Sequence, residues 1–454
     1  MKSMNKQYQG TNRLLLGIVL SVLTYWLFAQ SLLNMAPDVQ TSLKITTASL
    51  NIGISITSLF SGIFIVTAGR LSDRFGRIKT TYLGITINII GSFVLIIANG
   101  SILFIAGRIL QGISAACIMP ATMALIKAYF HDKNRQRALS FWSIGSWGGS
   151  GFCSFFGGYI DSNFGWRYVF VISIIVSIIS IMLIWGTPES LAENENTKAF
   201  DWIGMLMFIL FTLSLNILIS SGIFRNFIQT GSLLVVMILC GVSFYKFEKN
   251  RVDKFIDFKL FRDRAYVIAV VSNFFLNAMI GTLIVVNSYV QQSRGLSPLK
   301  TGSLSLSYLI LVLLMIRVGE KVLQELGPKK PMLLGAAAST FGVLLMSLTM
   351  VKGSYLLIVT LGYGLLGLGF GIYATPSTDT AISNVPSSEV GEAAGIYKMS
   401  SALGGAIGTA ISASVYASFK NHDLGASLGL YSNVLFGILA LTSILMFLPN
   451  ITKK

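Results

Sequence analysis

The sequence has few charged residues and few of the side chains on which most enzyme and metal sites depend. Only 11% of its 454 residues are Asp, Glu, Lys or Arg, and it has two histidines, His131 and His422. Its three cysteines, at 117, 153 and 240, are far apart, which argues against a disulfide framework or a zinc site. No Gly-Lys-Ser or Gly-Lys-Thr marks a phosphate-binding loop. We therefore expect no enzymatic activity, no cofactor and no bound metal.

Long, uncharged apolar runs recur along most of the chain. Hydrophobic residues make up 53% of the chain, and its mean hydropathy is +0.72. A helix of about 20 such residues, rising ~1.5 Å per residue, crosses a ~30 Å hydrocarbon core. The runs predict an all-α polytopic membrane protein with fourteen transmembrane helices, at 14–36, 46–68, 80–98, 101–126, 138–160, 166–186, 202–222, 231–247, 265–290, 301–322, 331–350, 354–383, 392–417 and 428–449.

The net charge of +16 follows from membrane topology. If the N-terminus is cytoplasmic, about 24 of the 34 Lys and Arg residues fall in cytoplasmic segments and about 7 in outer loops. This asymmetry satisfies the positive-inside rule, and it predicts that both termini are cytoplasmic. We therefore expect the lipid bilayer, and no nucleic acid, as the macromolecular surroundings.

The chain is organised as two related halves around an insert. GRLSDRFGRIKT at 69–80 follows the second span, and the degenerate echo GEKVLQELGPKKP at 319–331 follows the tenth. Internal echoes of this kind are typical of transporter repeats. We predict an N-terminal six-helix bundle at 1–186, inserted helices 7 and 8 with their linkers at 187–264, and a C-terminal six-helix bundle at 265–454.

Several motifs resemble those of one transporter family. The segment from Gly69 to Arg77 resembles the loop 2/3 signature of the major facilitator superfamily, and Phe104 to Ala116 resembles its helix 4 signature. Trp166 to Phe170 resembles the start of its helix 6, and the segments Asn384 to Gly395 and Leu403 to Gly408 resemble helices 12 and 13 of the fourteen-helix drug:proton antiporters. The stretches FAQSLLN, RQRALSFWSIGSWGGSG and IYATPSTDTAISN are similar to the staphylococcal quinolone and tetracycline efflux pumps of that group.

The resemblance implies a major facilitator fold and a proton-coupled antiporter that exports amphipathic drugs, among them quinolones, tetracyclines and cationic dyes. Small-molecule drugs and protons are then the partners, and we expect a monomer in a bacterial cytoplasmic membrane. The alternatives are a transporter of an endogenous metabolite, such as a siderophore or a fatty acid, and a non-transporting membrane sensor.

The sequence departs from the family pattern in two places. The helix 5 motif of the family has Gly-Pro before its Gly-Gly, whereas Cys153-Ser154 stands before Phe155-Phe156-Gly157-Gly158 in this chain. A kink in this helix would then come from the glycines at 145, 148, 149 and 151. Relatives often have an Asp in helix 1, where this chain reads Phe28-Ala29-Gln30-Ser31. Proton coupling must then lie elsewhere.

The charged loop at 69–80 is the candidate gate. Asp73, placed near helix N-termini and basic side chains, can form charge-assisted hydrogen bonds that opening would break. The alternative is an ordinary positive-inside turn. The spacing favours the gate, with the residues Gly69, Asp73, Arg74, Gly76 and Arg77.

Three ionisable residues are candidates for proton coupling. Arg108 lies inside the fourth span, where a cation costs at least ~2.5 kcal/mol and requires partners; it is a coupling residue or a structural anchor. Asp379, one turn after Thr375 and close to Pro376, is the main candidate, because a carboxyl in a low-dielectric site can exchange protons near neutral pH. The alternative for Asp379 is a solvated helix-end charge. Glu320 is the third candidate, although an ion pair with Arg317 is the simpler interpretation.

Polar residues at helical spacing are the candidates for substrate binding. Such residues line cavities or join helices by hydrogen bonds, and the spacing alone does not separate these roles. The candidates are Gln30, Asn34, Gln111, Asn273 and Asn277.

Overall fold

The computed structural model describes residues 8–191, 201–220, 227–249, 251, 254–296, 298–351 and 353–449, and the regular structure within these ranges is helical. Ten helical segments among them are long and apolar enough to cross a membrane. The prediction of an all-α polytopic membrane protein is thereby confirmed, and fourteen crossings stay a prediction.

The α-helices are labelled in chain order. Those of the first half are α1 (Asn12–Leu23), α2 (Ala36–Leu43), α3 (Thr47–Phe75), α4 (Arg77–Ile96), α5 (Ser101–Tyr129), α6 (Asp132–Ser143), α7 (Gly149–Phe164) and α8 (Arg167–Ile184). Those that follow are α9 (Trp202–Ser220), α10 (Phe227–Lys249), α11 (Arg264–Ala278), α12 (Gly281–Arg294), α13 (Pro298–Leu304), α14 (Leu306–Leu326), α15 (Lys329–Met346), α16 (Tyr355–Ser383), α17 (Val390–Ala417) and α18 (His422–Phe447).

Four of the predicted spans are interrupted helices rather than single α-helices. The span 14–36 is α1 followed by a π-helical segment, Thr24–Ala29, and a 3-10 segment, Gln30–Asn34. In 138–160, a π-helical segment at Ile144–Gly148 separates α6 from α7; helix irregularities commonly occur at glycines, and three lie at 145, 148 and 149. The spans 265–290 and 301–322 divide into α11 with α12 and α13 with α14.

The chain divides into two compact units. The first consists of residues 1–198 together with 385–395. In this unit α5 packs along both α3 and α4, while α8 packs against α1 and α4. Aromatic and aliphatic side chains, among them Phe28, Leu32, Phe104, Trp166 and Phe170, form a buried cluster.

The second unit consists of residues 199–384 and 396–454. Here α16 packs along both α14 and α15, and α18 packs against α11, α12 and α15. The contacts of α9 and α10 are chiefly with each other. The central position of α16 between α14 and α15 repeats the position of α5 between α3 and α4, as expected for related halves.

The two charged turns that echo each other in the sequence share one backbone design. Gly76, with φ 118°, follows the last residue of α3, and Gly327, with φ 74°, follows the last residue of α14. Side-chain-bearing residues rarely adopt positive φ, so glycine suits both positions. Each glycine lets the chain reverse at once into the next long helix, α4 or α15.

Candidate functional site

Arg108 lies at the centre of a buried polar cluster in the first unit. Its side chain is 2% exposed. Nε donates to the Gly53 carbonyl (3.0 Å), and Nη1 donates to the Ala29 carbonyl (2.8 Å) and to Gln111 Oε1 (2.7 Å). Ala29 ends the π-helical segment. The guanidinium therefore joins the irregular part of the first span to α3 and α5.

The charge of Arg108 has no carboxylate partner among the described residues, where each ion pair involves other side chains. Carbonyl dipoles satisfy its donors without neutralising its charge. In addition, Gln111 Nε2 is buried without a hydrogen-bond acceptor in the part of the chain that the structure describes. A buried cation beside an unused donor is suited to an anionic ligand.

Tyr25 completes this cluster, although no sequence pattern predicted its role. Tyr25 is buried, and Ser58, Ser61, Gln30 and Arg108 are its polar neighbours. Tyr25 stands in the aromatic run TYWLF, where no polar periodicity distinguishes it. The cluster thus brings together three predicted residues, Gln30, Arg108 and Gln111, while the side chain of Asn34 lies outside the described residues.

Asp73 lies at the centre of the candidate gate, also within the first unit. Its buried Oδ1 accepts from Arg77 Nε (3.1 Å) and Nη2 (2.9 Å). Its Oδ2 accepts from the backbone N–H groups of Gly391 (2.7 Å) and Glu392 (3.1 Å). Those N–H groups belong to the first turn of α17, where intrahelical partners are absent and the helix dipole favours a negative charge.

A second set of contacts fixes residues 385–395 beside Asp73. Arg70 Nη1 pairs with Glu392 Oε2 at 3.3 Å, and Arg77 Nη2 donates to the Ser387 carbonyl. Gly69 lies so close to α17 that a Cβ at this position would collide with the Gly391 carbonyl. Sequence spacing could not identify these partners, because more than 300 residues separate them.

The remaining predicted gate residues have local roles in the structure. The Arg74 guanidinium lies over the Phe75 ring at 5.7 Å. Gly76 lies against Glu189, whose carboxylate accepts from the backbone N–H groups of Ile78 (2.8 Å) and Lys79 (3.0 Å) at the start of α4. Glu189 is an N-terminal cap of α4 that the sequence analysis missed.

Asn273 and Asn277 belong to a separate polar cluster in the second unit. The Asn273 amide donates to the Tyr397 carbonyl (3.0 Å) and to the hydroxyls of Ser400 (3.2 Å) and Ser401 (2.6 Å). Asn277 Nδ2 donates back to the carbonyl of Asn273 (2.8 Å) and to its Oδ1 (2.9 Å). These bonds join α11 to α17, as polar residues do between membrane helices.

Asp379 is buried in the second unit. Its side chain is 6% exposed, and its neighbours from Ala374 to Ile382 in α16 are buried with it. Tyr397 of α17 contacts the hydroxyls of Ser377 (3.0 Å) and Thr378 (3.4 Å). Thr375 Oγ1, one turn before Asp379, is buried without a hydrogen-bond partner among the described residues. The burial of Asp379 does not fit a solvated helix-end charge.

Glu320, in contrast, has both carboxylate oxygens engaged. Oε2 pairs with Arg317, and Oε1 accepts from Gln324 Nε2 at 3.1 Å. All three residues lie within about two turns of α14. This geometry fits an ion pair at the end of a helix.

The sequence profile of the Major Facilitator Superfamily matches residues 14–409. The chain belongs to the Major Facilitator Superfamily. It is therefore a multi-pass membrane transporter rather than an enzyme.

Known relatives match almost the whole chain. It is 52% identical, over 458 residues, to the quinolone resistance protein NorB of Staphylococcus aureus strain MRSA252, with 99% of this chain and 98% of the relative covered. Identity to NorB of strain COL is 50% over 457 residues, with the same coverage. The resemblance to staphylococcal quinolone efflux pumps is thereby confirmed.

Solved structures of the family share the fold at low sequence identity. The proton:xylose symporter XylE aligns with a TM-score of 0.69 at 15% identity, covering 96% of both chains. The human organic anion transporter MFSD10 aligns with a TM-score of 0.65 at 15% identity, covering 95% of this chain and 98% of that one. At such identity the similarity establishes the fold alone.

Proposed function

We propose that this protein is a proton-coupled antiporter that exports quinolones and other amphipathic drugs across a bacterial cytoplasmic membrane. In this proposal fourteen helices cross the membrane and both termini are cytoplasmic. Two six-helix bundles, 1–186 and 265–454, alternate access to a midplane cavity, and 187–264 contributes the inserted pair. The monomer is the working unit.

The observation that carries the substrate class is the 52% identity to a quinolone resistance protein over 99% of this chain. The Arg108 cluster supports it. Quinolones carry a carboxylate, and a buried guanidinium without a carboxylate partner, beside the unused amide donor of Gln111, suits such a group. Gln30 and the Tyr25 hydroxyl add neutral hydrogen-bonding groups at the same place.

Asp379 is the proposed proton carrier. A carboxyl buried in a helix is costly to ionise, so its protonation can differ between two conformations that expose it differently. The Thr375 hydroxyl, which is buried one turn away and has no partner among the described residues, is a suitable relay. Glu320 is a weaker candidate, since Arg317 and Gln324 already occupy its oxygens.

The gate in this proposal is the binding of the start of α17 by Asp73. Four hydrogen bonds on one carboxylate favour the state in which residues 385–395 stay with α3. A transport cycle that frees these residues must break those bonds. Asp73 therefore sets the population of the docked state rather than contacting a substrate.

The experiment uses everted membrane vesicles with an imposed, acid-inside pH gradient. Norfloxacin, tetracycline and ethidium are added in turn while the gradient is recorded for wild type and Asp379→Asn. We expect a drug to dissipate the gradient only in wild type. Glu325→Gln, which changes an exposed carboxylate on α14, is the matched control and should behave as wild type.

Each result has a distinct meaning. If wild type and Asp379→Asn respond equally, antiport stands and Asp379 is not its proton carrier. If no drug affects the gradient in wild type, drug:proton antiport is wrong, and an endogenous metabolite becomes the substrate to test.

A further inference from the structure

Two carboxyl groups lie together at one end of the inserted helices. The proposed function assigns no role to either of them. Asp201 immediately precedes α9, and Glu248 lies in the last turn of α10. The side chain of Asp201 is 1% exposed, and Glu248 is 0% exposed. Acidic residues are seldom buried so completely unless they are paired.

One oxygen of each carboxyl has ordinary partners. Asp201 Oδ1 accepts from the Gly204 N–H (2.9 Å) and pairs with Arg251 Nη1 (2.9 Å). Glu248 Oε2 accepts from the Phe255 N–H (2.9 Å). The first carboxyl is thus fixed to α9, and the second holds the linker that follows α10.

The two other oxygens, Asp201 Oδ2 and Glu248 Oε1, are buried without a donor among the described residues. The two carboxyls are within hydrogen-bonding range of each other. Both oxygens crowd the space beside Gly204: a Cβ there would lie 2.7 Å from Asp201 Oδ2 and closer still to Glu248 Oε1. The unpartnered atoms therefore face each other rather than solvent.

A single proton resolves this arrangement. Two ionised carboxylates at this separation would repel each other, and each would keep an unsatisfied buried oxygen. One proton between them turns the contact into a hydrogen bond and satisfies both atoms. Arg251 supplies one positive charge, which balances one ionised carboxyl and not two.

Among the described residues, Arg251 is the basic side chain that forms an ion pair with Asp201, one of the two carboxyls. On the linker, Asp257 binds the Lys259 N–H and side chain (3.0 and 4.0 Å). Arg251 also lies over the Phe247 ring at 4.3 Å. The protonation of the pair is thus governed by Asp201, Glu248 and Arg251.

We propose that Asp201 and Glu248 form a proton-binding site in which the two carboxyls share one proton and thereby hold residues 254–262 against the inserted helices. Ring contacts continue the same attachment, because Phe255 and Phe244 both pack on Phe208 (5.6 and 5.5 Å between centroids). Loss of the proton places a second negative charge beside the first, and the repulsion displaces Glu248, together with the linker that it binds, from Asp201. This site is independent of Asp379 and of the identity of the drug.

The proton is tested by infrared spectroscopy of the purified full-length protein near neutral pH. Wild type should show the C=O stretching band of a buried protonated carboxyl, and Glu248→Gln should lose one carboxyl's share of it. Asp201→Asn should lose the same share, and Asp257→Asn, which removes a carboxylate of the linker that is not in the pair, should keep it. An unchanged band in both Glu248→Gln and Asp201→Asn would overturn the proposal.

The attachment is tested by trypsin cleavage at the basic residues of the linker, with cleavage elsewhere in the chain as the internal reference. Relative cleavage of the wild-type linker should increase severalfold as the pH rises through the titration of the pair. Glu248→Gln, whose amide supplies the hydrogen permanently, should abolish this dependence. Gly204→Ala, which displaces the pair without changing charge, should cleave rapidly at every pH. Cleavage that depends on sodium but not on pH would overturn the proposal in favour of a bound cation.

Discussion

Replacement of Asp73 by Asn should release the first turn of α17 from α3. The carboxylate accepts two bonds from Arg77 and two from the N–H groups of Gly391 and Glu392. Asn has nearly the same shape, but it carries no charge and directs two N–H groups toward donors. The substitution therefore tests the electrostatic contribution and leaves the packing in place.

The expected magnitude follows from the four bonds. Hydrogen bonds to charged groups contribute about 1.5–3 kcal/mol each, and a charge at a helix N-terminus contributes about 0.3–1 kcal/mol more. Asn can still accept through one oxygen, and Arg77 keeps its bonds to Ser190 and Ser387. We therefore take the net loss as about 3 kcal/mol, which is on the order of a hundredfold increase in the undocked population.

A cysteine at position 394 reports that population. Ala394 is fully buried and lies within residues 385–395. In a background without Cys117, Cys153 and Cys240, the variant Ala394→Cys should react slowly with a maleimide, because labelling requires undocking. The additional change Asp73→Asn should accelerate labelling roughly a hundredfold.

The control is Asp132→Asn, which removes an exposed carboxylate at the start of α6 and should leave the rate unchanged. A rate for Asp73→Asn within about threefold of the parent corresponds to less than about 1 kcal/mol. That result would refute the assignment of Asp73 as the group that holds α17.

Three further predictions concern other contacts. Gly69→Ala should accelerate labelling of Ala394→Cys without any change of charge, because its Cβ meets the Gly391 carbonyl; an unchanged rate contradicts this. Arg108→Lys keeps the charge but loses the forked geometry, so norfloxacin export in vesicles should fall at least about tenfold; full activity contradicts the substrate role. Burial, with a hydrogen bond to Asp38, raises the pKa of Asp161, just beyond the fifth predicted span, from 3.8 to about 6. The stabilising effect of the protonated Asp161 carboxyl is complete below its ordinary pKa and is lost as the pH rises through about 6. Tm should therefore fall between pH 3.8 and about 6 in wild type, and it should fall less in Asp161→Asn.

Hydropathy predicted the position of every long helix but not its continuity. The length of an apolar run depends on the thickness of the hydrocarbon core, so spans such as 80–98 and 101–126 correspond directly to α4 and α5. Breaks depend on local backbone geometry. The π-helical segment at Thr24–Ala29 contains no Gly or Pro, and no sequence signal marked it, although it ends at the carbonyl that Arg108 binds.

The candidate site is easiest to predict where its partners are close in sequence. Arg108 and Gln111, three residues apart on α5, are bonded, and so are Asp73 and Arg77, which lie on either side of Gly76. Partners that tertiary packing supplies were not predictable. The N–H groups that Asp73 binds belong to the backbone. Residue type therefore does not identify which positions supply them.

The division of α17 gives the Asp73 contact its importance for the proposed transport cycle. Residues 390–395 of this helix belong to the first unit, and residues 396–417 belong to the second. A helix shared by two units must bend near this point, or leave one unit, whenever the units move separately. Since Asp73 binds the N–H groups of Gly391 and Glu392, its carboxylate opposes the departure of residues 390–395 from the first unit. In the proposed cycle, the labelling rate at position 394 therefore reports how strongly this contact opposes the release of residues 390–395 from the first unit.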